Sequence, residues 1–153
     1  MRTIISFLLM SSNFAFGQDS TYIFDMSKGT WDCPLQKYSS VQKAKNSISK
    51  KDCKTILFTA DSSCGVNALF DGLIISLGSV NDIYSVITKF GDYYIIYSGL
   101  SKPDLKKGDF IFKGQKVADL LKNDFGKFKL AISIKRGDKY FDPYKWFRNK
   151  SSL

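Results

Sequence analysis

The chain contains no histidine and no glutamate; all fourteen of its acidic residues are aspartate. Most hydrolytic metal centres are built on histidine, and most acid–base catalysis uses histidine or glutamate. Any chemistry must therefore work with Asp, Cys, Ser, Thr, Tyr and Lys. Cysteine is scarce as well. Cys33, Cys53 and Cys64 are the three in the chain, and none sits in a Cys-x-x-Cys pair, which argues against a dithiol redox motif or a thiolate zinc site. Long apolar runs are missing: the one near the N-terminus, Ile4 to Met10, is too short to span a bilayer. Negative charge is in deficit, leaving a formal net charge of +9. A basic chain is drawn to anionic surfaces such as wall polymers or lipid headgroups, although dispersed lysines also simply solvate a surface. Here they are dispersed, apart from 43–54 and 102–107, and no basic–aromatic interleaving of a nucleic-acid motif is visible, which sets nucleic acid aside.

What is present begins with an export pattern. Arg2 supplies a positive n-region, Ile4 to Met10 a short apolar h-region, and Ala15-Phe16-Gly17 a small-x-small cleavage site. Residues 1–17 are thus expected to be a secretory signal peptide, with 18–153 a single secreted or periplasmic domain. Gln18, rather than Cys, follows the site and argues against a lipid anchor. In an oxidising compartment three cysteines imply one disulfide and one free thiol, with all three pairings open.

Residues 18–32 are polar and aromatic and read as a leading strand or arm. The Ser- and Lys-rich stretch 39–54 reads as a loop or short helix. From position 56 onward, short runs rich in Ile, Val, Tyr and Phe (Ile56-Leu57-Phe58, Leu69–Leu77, Ile83–Phe90, Tyr93–Ser98, Phe128–Ile134) alternate with turn signals at Asp71-Gly72, Gly91-Asp92, Lys107-Gly108-Asp109 and Gly137-Asp138. Gly91-Asp92 between two aromatic-rich runs predicts a hairpin. Val117–Leu121 offers the one alternative helical spacing. The expected class is all-β, with short antiparallel strands in one domain.

Several segments in order carry a family resemblance. Lys28-Gly29-Thr30-Trp31-Asp32-Cys33-Pro34-Leu35 is followed by Cys53-Lys54-Thr55-Ile56-Leu57-Phe58-Thr59-Ala60 and Val66-Asn67-Ala68-Leu69-Phe70-Asp71-Gly72. Then come Tyr97-Ser98-Gly99-Leu100-Ser101, the turns Lys106-Lys107-Gly108-Asp109 and Lys113-Gly114-Gln115-Lys116-Val117-Ala118, Lys129-Leu130-Ala131-Ile132-Ser133-Ile134, and Asp142-Pro143. From about 28 to 147 this resembles the LytM or lysostaphin-type peptidoglycan metallopeptidases, and implies their barrel-sandwich hybrid architecture. In place of that family's Gly-x-Thr-Gly loop the chain has Asn123-Asp124-Phe125-Gly126.

The resemblance implies a zinc held by the His and Asp of a first strand and the second His of a last strand, with two further histidines acting on water and the oxyanion. Those five positions read Cys53, Leu57, Gly99, Lys129 and Ala131. Leu and Ala have no lone pair, a single Cys53 thiolate cannot hold a catalytic metal, and the Lys129 ammonium disfavours a cation further. The expectation is a catalytically inactive domain without metal or other cofactor. Its vacated groove, lined by Cys53, Leu57, Tyr97, Gly99, Lys129, Ala131 and Ser133, would serve as a binding face. The implied partner is an envelope protein such as a cell-wall hydrolase. Two alternatives stand beside it. One is a non-cleaving peptidoglycan or wall-polymer binder, using aromatics among Tyr93, Tyr94, Tyr97, Tyr140, Tyr144 and Trp146 as sugar platforms. The other is an enzyme in which Lys129 lowers the Cys53 thiol pKa. An active metalloendopeptidase is the weakest reading, because the ligand set is missing rather than rearranged.

Overall fold

The structure, a computed structural model, describes residues 31–147. The expected signal segment, most of the leading arm and the side chain of Trp146 lie outside the described residues. Within them the chain forms β1 (Ser40–Lys45), β2 (Asp52–Ala60), β3 (Gly65–Asn67), β4 (Gly72–Val80), β5 (Ile83–Phe90) and β6 (Tyr93–Leu100). These are followed by β7 (Phe110–Ile111), β8 (Lys116–Asp119), β9 (Phe128–Arg136), β10 (Lys139–Phe141) and one helical turn, α1 (Tyr144–Phe147). The large sheet runs β1-β2-β9-β6-β5-β4-β7, with β10 also pairing β9, and β3-β8 form a separate small sheet. Every pairing is antiparallel. The domain is all-β as expected, and its sheets stay open rather than closing into a barrel.

Local chemistry explains the meander β4-β5-β6. Val80 pairs with Ile83 across Asn81-Asp82, whose φ values of 50° and 61° give both central residues the left-handed conformation of a type I′ hairpin, which Asn and Asp tolerate. Phe90 pairs with Tyr93 across Gly91-Asp92, with Gly91 at φ 56°, matching the II′ preference for glycine first and confirming the predicted hairpin.

Period-2 alternation then divides each strand between two faces. Ile56, Phe58 and Ala60 of β2, Leu130, Ile132 and Ile134 of β9, and Tyr93, Ile95 and Tyr97 of β6 are buried on one face. Trp31, Leu35, Val66, Leu69, Ile74, Val86, Leu100, Ile111, Val117, Leu120 and Phe147 join that core, with Ala68 and Ala118.

Two expectations are corrected. Part of 39–54 is β1, an edge strand laddered to β2 from Ser40↔Thr59 to Lys45↔Asp52. Its Ser and Lys content, which reads as loop, is the composition that edge strands use against aggregation. The turn that follows is held by Asn46, whose Oδ1 accepts the N–H groups of Ile48 and Ser49 at 3.0 and 2.9 Å. The helical spacing at 117–121 also yields: Lys116–Asp119 pairs with β3, and strand pairing overrides local periodicity there.

Candidate functional site

Opposite the core, the large sheet presents a half-exposed face whose rows are set by register. One row reads Gly78, Ser85, Ser98, Ala131, Leu57 and Gln42 across β4, β5, β6, β9, β2 and β1. The next reads Ser76, Ile87, Ile96, Ser133 and Thr55. On the other side of the first row, Thr59 lies between Ser40 and Lys129. The hydroxyls of this face are matched to one another: Thr55 Oγ1 with Ser133 Oγ, and Ser85 Oγ with Ser98 Oγ, each at 2.7 Å.

Of the residues expected in the groove, the structure brings Leu57, Lys129, Ala131 and Ser133 together on this face, with Leu57 and Ala131 direct cross-strand neighbours. Tyr97 is elsewhere. It points into the core, fully buried, and its hydroxyl accepts the Leu69 N–H at 2.9 Å. Burial pushes its phenol pKa well above the ordinary value. Tyr97 is therefore a packing and bridging residue, and Tyr97→Phe, which leaves the buried Leu69 N–H unpartnered, is expected to cost about 1–3 kcal/mol in urea denaturation. Gly99 contributes backbone alone: it is the extra residue where pairing jumps from Tyr84↔Leu100 to Ser85↔Ser98, a bulge, at φ 95°.

Cys53 lies four residues before Leu57 in β2, beyond the irregularity at which the β1–β2 register shifts from Lys43↔Ile56 to Lys45↔Asp52. Lys129 is opposite Thr59, and the β1 partners of Thr59 and Asp52, Ser40 and Lys45, are five residues apart, so Cys53 beside Asp52 stands more than about 10 Å from that position. The expected activation of Cys53 by Lys129 is thereby overturned. Cys53 instead borders an open hollow of about 880 Å³, with Lys54, Thr55, Arg136, Asp138, Lys139 and Tyr140.

Cys53 and Cys64 are free thiols, so none of the three pairings is formed in this structure. Register gives the reason for Cys33 and Cys64. Leu35 bridges Val66, and Cys64 Sγ reaches the Lys37 carbonyl at 3.9 Å, which places Cys33 four residues out of step with Cys64. That offset keeps the two from standing opposite one another, as a disulfide would need. Burial, and then the charge of Asp119, raise the Cys64 thiol pKa and keep it protonated.

No family model and no curated protein matches the chain. Solved structures do. Csd3 from Helicobacter pylori matches with a TM-score of 0.62 at 18% identity, over 76% of this chain and 32% of that one. Lysostaphin matches at 0.59 and 17%, over 75% and 51%. The fold is that of the LytM and lysostaphin-type peptidases. A chain of the SpoIIIAH–SpoIIQ complex also has this LytM-type fold, at 0.60 and 15% over 76% of this chain and 99% of that one. The chain spans about a third of the length of Csd3 and half that of lysostaphin.

The zinc that the resemblance implies can be tested against the residues present. The two strand positions that meet across the β2–β9 register are the hydrocarbons Leu57 and Ala131, the flanking hydroxyls close on each other, and Cys53 stands a strand's half-length away. Among the described residues no three His, Cys, Asp or Glu side chains converge. The donor set does not fit the metal. Local sequence carries no signal for the remaining floor residues, Thr55, Ser85, Ile87, Ile96 and Ser98, since they become neighbours through register alone.

Proposed function

We propose that this is an exported, catalytically inactive LytM-type domain that acts as a binding or regulatory module in the bacterial envelope. Its partner is a protein, such as a cell-wall hydrolase, that covers the face around Leu57 and Ala131. The observation that carries this reading is a cross-strand hydrocarbon pair, Leu57 and Ala131, within a floor of self-satisfied hydroxyls, at positions where the resemblance implies metal donors. Such a surface suits a peptide or loop, and no position on it activates water. The signal-like pattern at 1–17 supports export. The SpoIIIAH–SpoIIQ complex supports protein assembly as a use of the fold.

The test is zinc content after loading and dialysis, together with dye release from labelled peptidoglycan. Sub-stoichiometric zinc and no release are expected; stoichiometric zinc with lysis would overturn the proposal. A second reading, non-cleaving attachment to peptidoglycan, is favoured by Tyr140, which is 44% exposed, and by Tyr94, on the face opposite buried Tyr93 and Tyr97. Sedimentation with purified sacculi separates the two, since a protein-directed module stays in the supernatant.

A further inference from the structure

At one end of the same face, six strands place six side chains in a single cross-sheet row. Phe110 of β7 pairs with Leu73 of β4, Leu73 with Lys89 of β5, Lys89 with Tyr94 of β6, Tyr94 with Lys135 of β9, and Lys135 with Tyr140 of β10. At ordinary strand spacing the row is about 24 Å long. Its ends are open: Phe110 is 53% exposed, Leu73 43% and Tyr140 44%. Its centre is a cation–π sandwich, with the Lys89 and Lys135 ammonium groups 5.8 and 5.5 Å from the Tyr94 ring centroid. No described carboxylate pairs with either lysine. Two like charges are thus gathered on one ring with no counter-ion, flanked by uncharged platforms.

We propose that this row binds an anionic polysaccharide lying across the strands. The two lysines would engage its carboxylate or phosphate groups, and Tyr140 and Phe110 would contact the sugar faces. The two ammonium groups flank the Tyr94 ring with no counter-ion, so an anionic chain lying along the row meets positive charge on both sides of that ring. Aromatic rings beside fixed charges suit a charged sugar chain, whose units offer both an apolar face and an acid. A single-stranded nucleic acid is disfavoured because successive bases need successive open rings, and the central ring here is capped by its lysines. The signal-like pattern at 1–17 points the same way. The inference is independent of whatever covers Leu57 and Ala131; it rests on the second reading, attachment to a wall polymer, and deepens it by placing that attachment on this row and making charge its determinant.

The experiment titrates the purified protein with polygalacturonate, poly(glycerol phosphate), neutral dextran and oligothymidylate. Binding to one or both acidic polymers is expected, and which one distinguishes carboxylate from phosphate recognition. Dextran and oligothymidylate are expected to bind at least about tenfold more weakly. The double variant K89Q/K135Q should lose about tenfold or more in affinity, whereas K122Q/K127Q, an equal charge change in the β8–β9 connection, should lose less than about threefold. Tyr94→Phe should bind as the parent does, and Tyr94→Ala should not. Should half-buried Lys135 not tolerate the change, exposed Lys89→Glu replaces the double variant and should abolish binding. Equal losses from both lysine pairs would reduce the effect to net charge and overturn the proposal. So would tighter binding of oligothymidylate or dextran, or no binding of either acidic polymer.

Discussion

Gly99→Ala is expected to lower stability by more than about 3 kcal/mol, and Gly99→His by at least as much, with no gain of metal or activity. Gly99 sits in the β6 bulge at φ 95°, a backbone conformation that side chains strongly resist. A Cβ built there would fall on the carbonyl oxygen of Lys129. The obstacle is main chain of the neighbouring strand, so no rotamer change relieves it. The bulge must flatten or β9 must move, and the Leu121 N–H that donates to the Gly99 carbonyl at 3.0 Å moves with it. The position at which the resemblance implies a catalytic histidine is thus closed to any side chain. Urea denaturation with an unchanged m-value reads the loss. A variant as stable as the parent would show that the bulge can carry a side chain and that the site can be refilled.

Trp31→Ala is expected to cost about 3–5 kcal/mol. Trp31 is 2% exposed and stands edge-on to Phe70 and Phe147, with ring centroids 4.8 and 5.4 Å apart. Phe147 in turn meets Phe58 of β2 at 5.2 Å. These rings tie the segment before β1 and the helical turn α1 to the centre of the sheet. Truncation removes the link between the two ends and leaves a cavity. Hydrogen exchange should show α1 loosening well beyond the change in global stability, and Trp31→Phe should recover more than half of the loss. A cost below about 1 kcal/mol for the alanine variant would mean that the remaining rings close the gap unaided.

The strands that proved legible were those whose alternation and turns agree. Phe128–Ile134 alternates cleanly into buried Leu130, Ile132 and Ile134, and Gly91-Asp92 is the hairpin its residue types demand. β1 was not legible, because an edge strand needs no apolar face of its own and Ser and Lys suit it. Val117 and its neighbours were ambiguous because a short apolar run fits either period, and only the pairing with β3 resolves it.

Composition alone settled that histidine and glutamate chemistry are absent, and the order of motifs was sufficient to anticipate the fold. Residue identity is a property of the linear chain, and no folding can supply a missing lone pair. Neighbourhood is not such a property. The inward turn of Tyr97, the distance of Cys53 from Lys129, the closed bulge at Gly99 and the row that gathers Lys89 and Lys135 on Tyr94 all follow from register. A strand shifted by one residue would turn every side chain to the other face, so these contacts exist only once the ladders have locked.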